Sequence, residues 1–424
     1  MNSHFSDTPL NIAVIGGGIV GAHVAIGLLN RNISVTIYEQ SSQVKEIGAG
    51  IGFPSNIVAC MAALDPRITE HLDKVAGIFY NVNLVNGCSD EDLKLRPENQ
   101  LFDAEAKPFE YRTAHRAHLL DGLLQLIPQD RIKLGKHLDS IVDKGDDEKL
   151  LLQFSDGTAA EADARNYNPA AIPHYSHVSA YRGLVPMEKA TAALGRLSGV
   201  AASYLGKGAS MMVYPIIGKS VVNVAAFVYD EEDWHDSDQL TRVGSKKDVM
   251  AAYSHFGPSM REFITALPDE LNRWALFDTY DHPLSSFAYG RIVLAGDAAH
   301  ASTPHHGAGA GMGIEDALVL ATLLKQASNV LSADQNLVST DQALKAAFKA
   351  YDSVRRERAQ WLVSSSRHQG IAAQWRNPDI GSDIALYAKD ISERLNKVFS
   401  YDWKRSLIQA ADEFNSQILN LQLK

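Results

Sequence analysis

Asn11-Ile12-Ala13-Val14-Ile15-Gly16-Gly17-Gly18-Ile19-Val20-Gly21-Ala22 is the stretch whose reading decides the architecture. A short run rich in Val and Ile that ends in three glycines is consistent with a buried parallel strand. Ile19 to Leu29 then place small and apolar residues at helical spacing, and Ile33 to Tyr38 alternate β-branched residues up to Glu39. Strand, glycine turn, helix and strand make one βαβ unit. Within it Gly16-x-Gly18-x-x-Gly21 follows a strand and opens a helix, the context that makes this pattern a dinucleotide fingerprint. Gly16 allows the tight turn, Gly18 lets the backbone approach a pyrophosphate, and Gly21 lets helix pack on strand. Ile19 and Val20 begin the helix, whose free N–H groups and partial positive charge suit phosphates. Glu39, eighteen residues after Gly21, is placed to accept hydrogen bonds from ribose hydroxyls, and its carboxylate disfavours a 2′-phosphate there. A glycine-rich turn without a ligand is the bland alternative. The fingerprint leaves FAD and NAD open.

A second glycine segment separates them. An apolar run, Arg291 to Leu294, delivers Gly296-Asp297, and Ser302-Thr303-Pro304-His305-His306-Gly307-Ala308-Gly309-Ala310-Gly311-Met312-Gly313 leads into Ile314-Glu315-Asp316-Ala317. Asp297 is placed to accept hydrogen bonds from a polyol such as a ribityl chain. A helix predicted from about Gly313 to Ser328 points its positive end at the loop, which favours a reduced, anionic flavin. A nicotinamide dehydrogenase has no use for this second element, so FAD is the expected cofactor.

The middle of the chain differs in character. Tyr80 to Leu84 and His177 to Tyr229 read as strands with turns, including a hairpin of Met211–Ile217 and Ser220–Val228 across Gly218-Lys219. Thr113 to Leu126 reads as a helix. Leu150–Phe154 and Ala159–Ala164 read as another hairpin. From Asp341 to Gln369, and from Asp379 onward, helix formers dominate. The 424 residues suggest two or three domains. The net charge of −10 argues against nucleic acid. Cys60 and Cys88 offer neither a disulfide framework nor metal spacing and read as reduced thiols of a cytoplasmic protein. No apolar run reaches the roughly 18 residues of a membrane span.

The Gly296–Gly313 segment resembles the Gly-Asp motif of group A flavoprotein monooxygenases, the para-hydroxybenzoate hydroxylase fold family. Ser302 to Gly311 and Ala180-Tyr181-Arg182-Gly183-Leu184 are similar to the salicylate hydroxylase branch and its fungal phenol-hydroxylating relatives, over about residues 10 to 400. The resemblance implies an α/β fold: a Rossmann-type FAD-binding domain (GR2-like; 1–76, 105–166 and 285–345) interrupted by a β-sheet substrate domain (77–104 and 167–284). A C-terminal helical region (346–424) follows, expected to pack the domains together or to form a homodimer face. It places Gly16, Gly18, Ile19, Val20, Gly21 and Glu39 on the adenosine diphosphate part. Arg116 lies beside the FAD, and Gly50, in Gly48-Ala49-Gly50-Ile51-Gly52, approaches the flavin. Asp297, Pro304, Gly307, Gly309, Ala310 and Gly311 surround the flavin loop. The bland reading of Arg116 is a solvated helix arginine.

The chemistry implied is hydroxylation of a phenolic or salicylate-like substrate with NAD(P)H and O2, through a flavin hydroperoxide, with the cofactor carrying the hard step. Arg182 and Tyr214 are candidates to hold a phenolate or carboxylate, and His305 and His306 to move protons near neutral pH. The alternatives are a structural ion pair for Arg182, a core position for Tyr214 and loop filling for the histidines. His305-His306 lacks a third ligand for a metal. An oxidase or reductase of the same superfamily, or a catalytically silent flavin-binding protein, is the competing reading. The silent reading arises because relatives carry an apolar strand running into Asp-Gly and an arginine helix where this chain passes from Ala164 to Arg165-Asn166-Tyr167-Asn168-Pro169. Either a segment is missing from the sequence there, or the chain lacks that strand. Loss of a central strand exceeds the roughly 5–15 kcal/mol by which domains are stable, which favours the former.

Overall fold

In the computed structural model, which describes residues 10–43, 50–79, 81–89, 110–143, 145, 148–165, 173–216, 220–235, 239–333 and 338–423, the βαβ unit forms from the strands Asn11–Ile15 and Ser34–Tyr38 around the helix Ile19–Leu29. Gly16 takes φ +104°, and a Cβ on Gly21 would lie 2.0 Å from the Gly16 carbonyl oxygen. Turn and close packing therefore both require glycine. The two strands pair in parallel from Asn11/Ser34 to Ile15/Tyr38. They belong to a six-stranded sheet in the order Ala288–Tyr289, Ile292–Val293, Ala164–Arg165, Asn11–Ile15, Ser34–Tyr38, Ile132–Lys133.

The strand expected to be absent is present in shortened form. Ala164–Arg165 pairs in parallel with Ile12–Ala13 on one side and with Ile292 on the other. The sheet keeps a partner of two residues at this position. Asn166 to Pro169 lie outside the described residues.

A seven-stranded sheet stands beside this one, in the order Thr241–Ser245, Glu270–Asp278, His174–Pro186, Val221–Tyr229, Ala209–Ile216, Ala201–Gly206, Val82–Asn86. Its pairings are antiparallel except the last. Side chains alternate between its faces. Tyr181, Val185, Val222 and Val224 pack with the helices Met187–Leu194 and Pro258–Thr265 on one face. Ala180, Ala225 and Phe227 lie on the other with Trp274 and Met212. The predicted hairpin forms as Ala209–Ile216 and Val221–Tyr229; its tip, with Gly218-Lys219, lies outside the described residues.

Several boundaries differ from the sequence reading. Thr113 to His115 belong to the strand Tyr111–His115, and the helix starts only at Arg116. The helix after the second glycine segment runs Gly309–Ala333, so Gly311 and Gly313 lie inside it and its positive end is at Gly309. Buried neighbours explain the extension: Gly311 packs on Ile57, and a Cβ on Gly313 would lie 2.3 Å from a Val20 methyl. Asp297 stands at the start of a one-turn helix, Asp297–His300.

The helices Thr340–Ala373, Ile384–Phe399 and Trp403–Gln422 complete the chain. One apolar core runs from Ile12, Val14 and Ile26 through Leu318 and Leu324 to Tyr351 and Phe414. Each fully buried aliphatic side chain contributes roughly 1.5–3 kcal/mol. Inside this core sits an ionic cluster. Arg355, 0% exposed, donates to Asp316 Oδ1 and Glu315 Oε2 at 2.8 Å each, while Arg358 donates to both oxygens of Glu315. Asp316 Oδ2 accepts from the Gly296 backbone N–H at 3.0 Å and lies 2.6 Å from His300 Nε2. Burial opposes the Asp316 charge, but His300 and Arg355 outweigh it and hold the carboxyl well below the usual carboxylate range. The network ties the Gly296 turn to two helices.

Candidate functional site

A cavity of 640 Å³ opens between the two sheets and the C-terminal helices, within the size range of small-molecule and cofactor sites. Both glycine segments line it, through Gly16, Gly18, Ile19, Val20 and Gly21 on one side and Asp297, Pro304, Gly307, Gly309 and Ala310 on the other. They also touch: a Cβ on Gly296 or Gly313 would meet Val20 at 3.0 or 2.3 Å. At Gly16 and Gly18 a Cβ would meet nothing within 4 Å, so bare backbone faces open space. Gly50 and Arg116 reach the same cavity from the strand Gly50–Pro54 and the helix Arg116–Gln125.

Two expected residues stand apart. Gly311 does not line the cavity; it is a packing glycine against Ile57. Glu39 is not in the lining either. Its carboxylate accepts from Gly17 N–H at 2.7 Å and Ser41 N–H at 2.8 Å, which holds it against the turn between Gly16 and Gly18.

The seven-stranded sheet supplies Arg182 and Tyr214. Arg182 is half-buried, lies 5.7 Å over the Trp274 ring, and has an Nε without a hydrogen-bond partner. No carboxylate pairs with it among the described residues. Burial lowers its pKa, with Arg116 adding to the effect and Tyr214 opposing it. Burial raises the Tyr214 pKa against the pull of Arg182, so the phenol keeps its proton. A Cβ on Gly50 would lie 2.5 Å from the Tyr214 hydroxyl, so that glycine lets strand and tyrosine meet.

His305 and His306 line the cavity but do not titrate near neutral pH, contrary to the sequence expectation. Burial, with His306 and Arg367 adding, lowers His305 to about 3. Burial, then Arg394, lowers His306 to about 4. His306 Nε2 lies 2.9 Å from the Ser365 hydroxyl, and the His305 ring packs 5.0 Å from that of Phe227. Both are neutral wall residues at physiological pH.

Other lining residues carried no distinctive local signal. Tyr111 donates to the Gly307 carbonyl at 2.9 Å, and its ring occupies the space a Cβ on Gly52 would need. Gln369, Tyr387, Ile391, Leu395 and Phe399 bring the C-terminal helices into the wall. The tail is therefore part of the site, beyond the domain-packing role expected of it. Among the described residues, no group of three or more His, Cys, Asp or Glu could hold a metal ion, and no helix is long and apolar enough to cross a membrane.

Comparison with known proteins identifies the family. A family model described as an FAD binding domain matches residues 207–366. The FAD-dependent monooxygenase pigN of Monascus ruber is 43% identical over 431 residues, covering 96% of this chain and 98% of its own. That alignment is longer than the 424-residue chain while using 96% of it, so the relative carries residues without counterparts here. Salicylate hydroxylase asL1 of Sarocladium schorii is 35% identical, covering 96% of this chain and 92% of its own. A solved salicylate hydroxylase substrate complex superposes with a TM-score of 0.78 at 27% identity, over 95% of this chain and 98% of that one. With such identity along nearly its whole length, the chain belongs to the FAD-dependent monooxygenases, in the family that includes salicylate hydroxylase.

Proposed function

We propose that this chain hydroxylates a phenolic or salicylate-like ring, bound as its anion against Arg182 and Tyr214, using NAD(P)H and O2. The observation that carries the reading is Arg182: a half-buried guanidinium whose Nε is unpartnered, without a carboxylate partner among the described residues, on the wall of a cavity that both glycine segments line. A half-buried cation is costly until an anion pairs with it, and a planar fork suits phenolate or carboxylate oxygen. Tyr214, protonated, donates a second hydrogen bond to the same oxygen. The ring is thereby held as phenolate, the electron-rich form that hydroxylation requires.

The residues present fit FAD. Bare backbone at Gly16 and Gly18 admits a pyrophosphate, Asp297 is exposed to the cavity for a polyol, and the helix Gly309–Ala333 begins at the cavity edge. FAD supplies, when bound, electron transfer from NAD(P)H and the activation of O2. The chain's own tasks are then to orient the ring, exclude water and keep the phenolate ionised. In this reading the FAD domain is 1–76, 105–166 and 285–345, the substrate domain 77–104 and 167–284, and the helical region 346–424.

The test is a panel of salicylates and acylphenols given to FAD-loaded enzyme, following NAD(P)H consumption and oxygenated product together. Arg182→Ala should lower kcat/KM about 10- to 100-fold, the loss of one charge-assisted hydrogen bond, with FAD content unchanged. Stimulated NAD(P)H consumption that never yields oxygenated product would instead favour a reductase or oxidase.

A further inference from the structure

The cavity has a second polar end that the reading above leaves unused. Gln369, 4% exposed, lines the cavity from the helix Thr340–Ala373. One end of its amide hydrogen-bonds the Tyr387 hydroxyl on the neighbouring helix; the other, Oε1, is buried and has no partner. His305 lines the same cavity, packed so closely on Gly370, the next residue of the helix, that a Cβ there would lie 2.5 Å from the ring. Both His305 ring nitrogens are buried and unpartnered. A neutral imidazole offers one donor and one acceptor. Buried polar atoms without partners cost stability unless a ligand or water supplies them.

One strand of the sheet meets both groups. Arg182 lies opposite Ala225, and the His305 ring packs on Phe227, two residues further along the same strand. Two residues of strand span roughly 7 Å, so the two groups are anchored at neighbouring positions on one face of that strand. Met212, Ala225, Phe227, Leu84 and Leu395 add apolar surface to the same cavity.

We infer that Gln369 and His305 form a neutral subsite that selects substrates carrying a carbonyl or hydroxyl group on the ring in addition to the ionised oxygen. The inference rests on the phenol reading above. It makes Gln369 a specificity-determining residue, and Tyr387 the residue that orients its amide. A carbonyl substituent accepts from His305 or from the amide N–H, and a hydroxyl donates to Gln369 Oε1.

Isosteric pairs test it. 4-Hydroxyacetophenone and 4-isopropylphenol differ by carbon for oxygen at the reaching position, as do 2,4-dihydroxyacetophenone and 4-isopropylresorcinol. Dissociation constants are read from the flavin absorbance change on binding to FAD-loaded enzyme. The acetyl-over-isopropyl preference should fall about fivefold in Gln369→Leu, as expected for one net hydrogen bond, while isopropyl binding is unchanged or tighter. Tyr387→Phe keeps the ring and releases the amide, and should lower the same ratio about twofold even if the leucine variant fails to load FAD. A wild-type ratio in the variants that load FAD overturns the subsite. Absence of any flavin perturbation by all four compounds in the unmutated enzyme overturns the phenol reading beneath it.

Discussion

Lowering the pH from 7.5 to 5.0 should weaken the folded chain by several kcal/mol through histidines it holds neutral. His23, 0% exposed in the helix Ile19–Leu29, is lowered to about 4, because burial outweighs the bond of its Nδ1 to the Ile19 carbonyl. His305 and His306 are lowered to about 3 and about 4. The unfolded value is about 6.5. Below it the unfolded chain binds protons that the folded chain refuses, so stability is full above about pH 6.5 and is lost as the pH falls toward 4. At pH 5 each group contributes a loss of about 2 kcal/mol, and the three together about 6 kcal/mol, a large part of a typical domain's stability. Asp316, held low, adds its own loss only in more acidic solution. Urea unfolding midpoints at pH 7.5, 6.5, 5.5 and 5.0 read the slope. His23→Leu should flatten it by about one third, without any contact with the cavity. Parallel pH curves for the two proteins, or a wild-type curve level down to pH 5, would refute the reasoning.

Two further substitutions probe the frame around the cavity. Asp316→Asn keeps the shape but removes the charge shared by Arg355, His300 and the Gly296 N–H. A cost of about 2–4 kcal/mol follows, visible as a lower Tm together with weaker FAD binding by equilibrium dialysis. Gly21→Ala pushes a Cβ to 2.0 Å from the Gly16 carbonyl oxygen. Backbone cannot yield cheaply there, so a loss of about 3 kcal/mol or more is expected, with a colourless product after purification; a yellow protein of wild-type Tm would contradict this.

What could be read from sequence was what the backbone does locally. Gly16, Gly18 and Gly21 are spaced by the turn itself, and Gly296-Asp297 followed by a glycine-dense run announces a second one. The Arg182 strand and the Tyr214 hairpin were visible as strand runs with a turn at Gly218-Lys219. What stayed hidden depends on distant partners. Arg355 meets Asp316 from 39 residues away, and Tyr111 meets Gly307 across 196. The strand Ala164–Arg165 has two residues, too few for any period, and takes its place only because Asn11–Ile15 and Ile292–Val293 flank it. The histidines were misjudged because exposure, which decides their pKa, is a tertiary property.

This division between local and distant parts has a mechanistic consequence. The cofactor side presents mainly backbone at Gly16, Gly18, Gly307 and Gly309, atoms that no side-chain substitution alters unless it changes the fold. The substrate side is made of side chains from separate elements: Arg182 and Tyr214 from the sheet, His305 from the flavin loop, Gln369 and Tyr387 from the tail. None of these five takes part in the ionic cluster around Arg355 that fixes the Gly296 turn. Substitutions among them therefore act on which ring is held, and how, while the cradle keeps its geometry. Selectivity in this chain should consequently vary at Gln369, Tyr387 and their neighbours without loss of FAD, whereas changes at Asp316 or Arg355 should cost FAD and stability together.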